Sequence, residues 1–364
     1  MTRKRKILIR RARRSDRKTV LAFCRRTWGD WGDYIDKVWD EWVADKDGFL
    51  AVATEAGRPI GTAKLTLLRR GEVWFEGLRV DPALRGRGIA HFLTRFLLKK
   101  AGRHGARVVR YATGERNLAS RHIGSVYGFK RLGGFTIMWA TSDGRHRRVF
   151  SKVPKDTVRK TPAKASAGTA DTLNLREIAS AVSSASFTRA MHGLASKGWT
   201  FFKADDAFIA DAAARGQLFV ATLPAPGRPR RVPKTPSGRR PDQTGTLLAP
   251  GHLIGFAVAA PQYLRHRLLV KLLADVGEGS LPYLFSGARR LAYDLRLPQV
   301  RLVAPKKRAI LGCATRAGFR EEDKGFYHIV LEKTLRVRGA RAGRTQGRCR
   351  SKGPLKSRLP SARI

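Results

Sequence analysis

The sequence predicts a mixed α/β fold built as two tandem units, and three observations lead there. Between residues 6 and 150, strand-like apolar runs alternate with segments of helical periodicity. The order strand, helix, Gly-Phe pair, strand occurs in "HGARVVRYATGERNLASRHIGSVYGFKRLGGFTIMWA" and again in "LRLPQVRLVAPKKRAILGCATRAGFREEDKGFYHIVLEK". The 364 residues also exceed the roughly 100–200 of one ordinary domain. We therefore expect a first unit over 1–150, a Lys/Pro/Ala-rich linker over 151–170, and a second unit over 171–335. A Pro-rich mobile insertion at 223–245 and a disordered basic tail at 336–364 complete the expected organisation.

Element by element, "KILIRRA" opens as a strand, and Ser15 can cap a helix whose apolar face is Val20, Leu21, Phe23 and Cys24. The acidic, aromatic stretch "WGDWGDYIDKVWDEWVAD" follows. Strands "GFLAVATEA" and "IGTAKLTLLR" are joined by a turn at Gly57 and Pro59, and "VWFEGLRV" is the next strand. A helix from about Gly88 carries Ile89, Phe92, Leu93, Phe96 and Leu97 at helical spacing and stops near Gly102. "ARVVRYAT" is a fifth strand, "LASRHIGSVYG" a short helix and "FTIMWA" a further strand.

Composition narrows the function. No apolar run approaches the roughly 20 residues of a membrane-spanning helix, and the N-terminus has too short an apolar run for a signal-peptide core. Cys24, Cys313 and Cys349 are scattered, with no Cys-x-x-Cys spacing; they suggest neither a disulfide framework nor a metal site, and fit a reducing cytoplasm. The net charge is +46, and 31 of the 74 basic residues fall in 1–18, 152–164, 223–245 and 336–364 beside only three acids. These segments would draw nucleic acid and other polyanions non-specifically and in a salt-sensitive way; since no nucleic-acid motif accompanies them, the alternative is an Arg-rich lineage with solvated surfaces.

The stretch "VDPALRGRGIAHFL" carries the chemistry. A strand ends at Asp81-Pro82, and a helix begins where Gly86 and Gly88 remove side-chain bulk. A helix N-terminus offers unpaired N–H groups to a phosphate, glycines let that backbone approach closely, and Arg85 and Arg87 add charge. A disordered Arg-Gly repeat would not be joined to a strand before it and an amphipathic helix after it. The stretch therefore reads as a cradle for a phosphate-bearing cofactor.

Arg85-Gly86-Arg87-Gly88-Ile89-Ala90, with the preceding "VDP", resembles the phosphate loop of the GNAT N-acetyltransferases, and Asn117 and Gly128-Phe129 also fall where that family has them. The resemblance implies the GNAT fold and acetyl-CoA as cosubstrate, with no metal. It implies that the backbone of residues 85–90 holds the pyrophosphate. The strand end at Leu78, Arg79 and Val80 would part from the next strand, pair with the pantetheine arm and supply an oxyanion donor. Glu76, on that strand, would take the proton from the attacking amine, with Glu115 as second choice. Seven residues after Asn117 the family often has a tyrosine as general acid; Gly124 stands there, with Tyr127 and His122 displaced from the position.

"WGDWGDYIDKVWDEW", "WFEGLRVDP" and the second half together resemble a narrower group, tandem GNAT proteins of the vertebrate histidine N-acetyltransferase type, with Asp33-Tyr34 matching an Asp-Tyr near the first helix. That resemblance implies a small amine acceptor such as a free amino acid, touched by Asp33 and Tyr34. Residues 30–47 carry seven acids against two lysines, either a solvated helix face or a site for a cationic amine. The second half reads "DVGEGSLPYLF" where the loop should be, so it is expected to be degenerate, with a structural or acceptor-shaping role. Acetylation of protein lysines or N-termini, and a non-catalytic acyl-CoA- or polyanion-binding protein, are the alternatives.

Overall fold

Period-two and period-3.6 patterns become strands and helices close to their expected places. The structure, a computed structural model, describes residues 6–27, 32–153, 175–224 and 251–335. The first half runs β1 (Ile7–Arg11), α1 (Arg17–Arg25), α2 (Ile35–Ala44), β2 (Phe49–Glu55), β3 (Arg58–Arg69), β4 (Glu72–Val80), α3 (Ile89–Arg103), β5 (Val108–Gly114), α4 (Leu118–Val126) and β6 (Lys130–Thr141). Ser15 does not cap α1. It lies in a 3-10 turn, Arg14–Asp16, that is held by the Asp16 carboxylate accepting from Arg13 N–H and pairing with Arg10.

The remainder runs β7 (Phe150–Lys152), α5 (Leu175–Ser184), α6 (Ser186–Ala190), β8 (Leu194–Lys197), β9 (Thr200–Lys203), α7 (Asp206–Ala214), β10 (Leu218–Pro224), β11 (Gly251–Gln262), β12 (Arg267–Asp275), α8 (Leu281–Asp294), β13 (Gln299–Pro305), α9 (Arg308–Arg316), β14 (Arg320–Glu321) and β15 (His328–Thr334). The expected linker thus starts inside a strand, because Ser151 pairs with Val220 of β10. Residues 154–170 of that linker, all but the first two residues of the insertion, and the basic tail lie outside the described residues.

The strands form a 13-stranded sheet ordered β1-β2-β3-β4-β5-β15-β6-β13-β12-β11-β10-β7, with β14 beside β6. The last strand of the chain therefore lies between two strands of the first half: Val330 pairs with Ala112 of β5 and with Gly133 of β6. On its other edge β6 pairs with β13, Met138 opposite Leu302. A single apolar core accordingly takes Trp74 and Phe135 from the first half with Phe201, Phe285 and Leu302 from the second.

Two faces of the first half position the site. Leu93 and Leu97 of α3 pack with Ala51, Ala63, Leu65 and Val73 on one face. Trp39 and Trp42 of α2 pack with Phe23, Leu50 and Val52 on the other. Among the described residues, no helix is long and apolar enough to cross a membrane.

Candidate active site

The loop before α3 is shaped by its glycines. Asp81 accepts from Ala83 N–H at 3.2 Å and starts a 3-10 turn, Pro82–Leu84, after which Arg85 is extended. Gly86 (φ +79°) and Gly88 (φ +75°) occupy the left-handed region that disfavours side chains. A Cβ on Gly86 would meet nothing within 4 Å, so conformation rather than crowding requires glycine there, and the loop surface stays open. Ile89 is buried and anchors the first turn of α3, while Arg85 is exposed. Arg87 pairs with Glu55. Free N–H groups at the start of a 15-residue helix, an open glycine surface and an exposed guanidinium fit a diphosphate.

Strand β4 changes character midway. It pairs in parallel with β5 only over Glu72–Trp74 against Val108–Arg110; beyond that the strands part and leave a V between Phe75–Val80 and Tyr111–Gly114. On its other edge, Lys64 faces Glu76 and Thr62 faces Arg79, so Gly77 and Leu78 together oppose Ala63 in a bulge. Gly77 has φ +64°, and a Cβ there would strike the Trp42 ring at 2.5 Å. The glycine lets α2 close on the bulge that breaks the ladder.

Glu76 projects on the α2 face, opposite Lys64, and its carboxylate accepts from the Thr66 hydroxyl at 2.6 Å. Burial raises its pKa above the ordinary glutamate value, only partly offset by the Thr66 bond and the Lys64 charge. Lys64, almost fully buried, pairs with Asp45 at the end of α2. Tyr34 is 44% exposed overall, but its hydroxyl lies in beside the Gly77 backbone, where burial pushes the phenol up to about 12. Its ring meets Trp42 edge-on at 5.9 Å and lies 5.6 Å from the Arg79 guanidinium.

The other expected site residues divide. Both Asp33 oxygens are held by Arg79, at 2.6 and 3.2 Å, in a pair 3% and 10% exposed. Asp33 therefore orders Arg79 beneath Tyr34 and has little capacity left for an amine. Asp36 pairs with Arg17 and Asp45 with Lys64, so much of the acidic segment is structural. Glu115 bonds Arg131 at 2.8 Å and Lys306 at 3.3 Å, and these cations hold it below the usual glutamate range, which suits an anchor better than a base. Asn117 caps α4, accepting from Ser120 N–H at 3.1 Å. A Cβ on Gly124 would collide with the Tyr111 hydroxyl, which donates to Ser120 O and is pushed up to about 12 by burial. Tyr127 donates to His91 O at 2.8 Å and ties α4 to α3, and the His122 ring meets His91 edge-on.

Sequence reasoning missed the hairpin β8–β9, which lies over β4 on the α2 face. Lys203 N–H donates to Glu72 at 3.0 Å, Trp74 contacts Phe201 and Arg69 bonds Lys203 O at 2.7 Å. The aromatic run Trp199, Phe201 and Phe202 was its sequence signal.

This geometry agrees with comparisons to known proteins. Residues 17–129 match the model of the acetyltransferase (GNAT) family. A GCN5-related N-acetyltransferase from Sphaerobacter thermophilus shares the fold with a TM-score of 0.51 at 12% identity, over 90% of this chain and 95% of that one. The overall architecture is therefore a GNAT acetyltransferase fold. A histidine N-acetyltransferase from Xenopus tropicalis is 38% identical over 68 residues, 18% of this chain; the match spans about a fifth (21%) of that relative's length.

Proposed function

We propose that the chain transfers an acetyl group from acetyl-CoA to the amine of a small molecule, with a free amino acid among the acceptors. One observation carries this reading. The glycine loop opens the helix on one face of the sheet, Glu76 stands on the opposite face, and the V between β4 and β5 lies between them. Acetyl-CoA supplies an activated thioester. The backbone of Arg85–Ala90 holds its diphosphate, and the freed edge of Leu78–Val80 orients its arm and donates to the acyl oxygen. Glu76, with its raised pKa, takes the proton that the amine must lose, and Thr66 fixes the carboxylate. Residues 171–335 act as a degenerate GNAT-like half that shapes the acceptor side.

The small-acceptor reading is favoured over protein acetylation because α2 and the hairpin β8–β9 stand on the same face as Glu76 and narrow the approach. The partial likeness to a histidine N-acetyltransferase supports the same class. The test is thiol release from acetyl-CoA with a panel of free amino acids, polyamines and basic peptides. Turnover with small amines that Arg85→Ala and Glu76→Gln both depress is the expected result. Turnover confined to peptides would replace the acceptor class, and binding without turnover would make the protein a non-catalytic acyl-CoA binder.

A further inference from the structure

The V has two arms, and each carries its own aromatic group on the acceptor face. On the β4 arm are Tyr34 and Trp42. The β5 arm ends at Gly114, which pairs with His328 of β15. Phe326 leans over Gly114 so closely that a Cβ there would lie 2.7 Å from its ring. The His328 ring meets Phe326 edge-on at 5.0 Å and lies against Trp199, with centroids 3.6 Å apart and planes at 32°.

Trp199 sits in the turn between β8 and β9, the hairpin that Glu72, Trp74 and Arg69 fasten to the closed end of the V. Its turn therefore stands beside the β5 arm, and residues of the second half line the open end of the V on the sheet face that carries Glu76. That wall is made of flat rings and is uncharged, since burial lowers the pKa of His328 to about 4 and keeps the imidazole neutral near pH 7. Phe326 keeps 38% of its surface exposed, and Trp199 is half-buried, so the wall is accessible. Flat neutral rings favour another flat ring through offset or edge-on contacts, and their faces tolerate the ammonium form in which an amine arrives.

We infer that the acceptor is a primary amine bearing a flat ring, which lies against Trp199 and Phe326 while its amino group points to Glu76. The inference rests on the acetyl-transfer reading above and adds the substrate class to it. It assigns the specificity of the first half's site to residues of the second.

The test compares 2-phenylethylamine with 2-cyclohexylethylamine, equal in length and differing in flatness, using the full chain and acetyl-CoA. We expect kcat/KM to favour the aryl amine by about tenfold or more. Trp199→Leu should reduce that preference to about threefold or less by raising the aryl-amine KM, with the acetyl-CoA KM unchanged. Should Trp199→Leu not fold, the more exposed Phe326→Leu makes the same comparison. Turnover of both amines without preference, or a preference that survives the substitution, overturns this inference and leaves the acetyl-transfer reading standing. No turnover of any amine overturns both.

Discussion

The loop that opens α3 and the loop that opens α8 each carry a pair of left-handed glycines, with opposite charge between them. Gly86 and Gly88 have φ of +79° and +75°; Gly277 and Gly279 have +82° and +75°. Each loop follows a strand that runs parallel to the next for only a few residues, Glu72–Trp74 with Val108–Arg110 and Arg267–Val270 with Gln299–Leu302. Between the glycines stands Arg87 in one and Glu278 in the other. The second loop is also closed on itself, since the buried Ser280 hydroxyl donates to Gly277 O at 3.0 Å. Two like charges about 4 Å apart repel by roughly 1 kcal/mol in water and about 4 kcal/mol near a protein surface. On the proposed reading, backbone shape alone does not make a phosphate cradle, and the side chains around it decide.

The two halves share one sheet and part of one core, and the largest expected effect tests how far each depends on the other. Deleting residues 328–364 removes the strand between β5 and β6, exposing two sheet edges and part of the shared core. We expect loss of the cooperative thermal transition by circular dichroism for the whole chain. A first half that melts as before would make the sheet's continuity incidental.

Next in size is Glu76→Gln, for which we expect kcat lower by about 10²–10⁴ with little change in acetyl-CoA affinity. The base works only when ionised, and burial raises its pKa, so activity should fall as pH drops through a value above that of ordinary glutamate. The variant should lack this acidic limb; a pH–rate profile checks both points. The second half has Lys271 on β12, not a carboxylate, and burial lowers its pKa.

Asp33→Ala removes the buried carboxylate that accepts two hydrogen bonds from Arg79, and should cost about 1.5–3 kcal/mol of stability in denaturant titrations. Breaking the exposed Arg17–Asp36 pair by Asp36→Ala should cost less than about 1 kcal/mol. The smallest effect is expected of Glu278→Arg. It removes a repulsive charge but leaves Ser280 closing the loop, so isothermal titration should still count one acetyl-CoA per chain.

Much of this was legible in the sequence where causes are local. The glycines of the first loop, the helix from Ile89 and the strand carrying Glu76 could be read from spacing and periodicity. What escaped depends on partners far along the chain. The Asp-Tyr resemblance points to Asp33 as a ligand for an amine, while the cation that holds it, Arg79, is 46 residues away. Gly77 sits in a run that reads as a regular strand, and only the Trp42 ring shows why a bulge is needed. Nothing in the apolar pattern of β15 says that it enters between β5 and β6. In the second loop, attention to its acids and proline hid a Gly-x-Gly spacing identical to that of the first.

The most direct test of the account is isothermal titration of acetyl-CoA into the wild-type chain, Gly88→Trp and Gly279→Trp. The account predicts one site in the wild type, lost in Gly88→Trp and unchanged in Gly279→Trp. Binding that survives Gly88→Trp, or that fails in Gly279→Trp while the fold is intact, would contradict it.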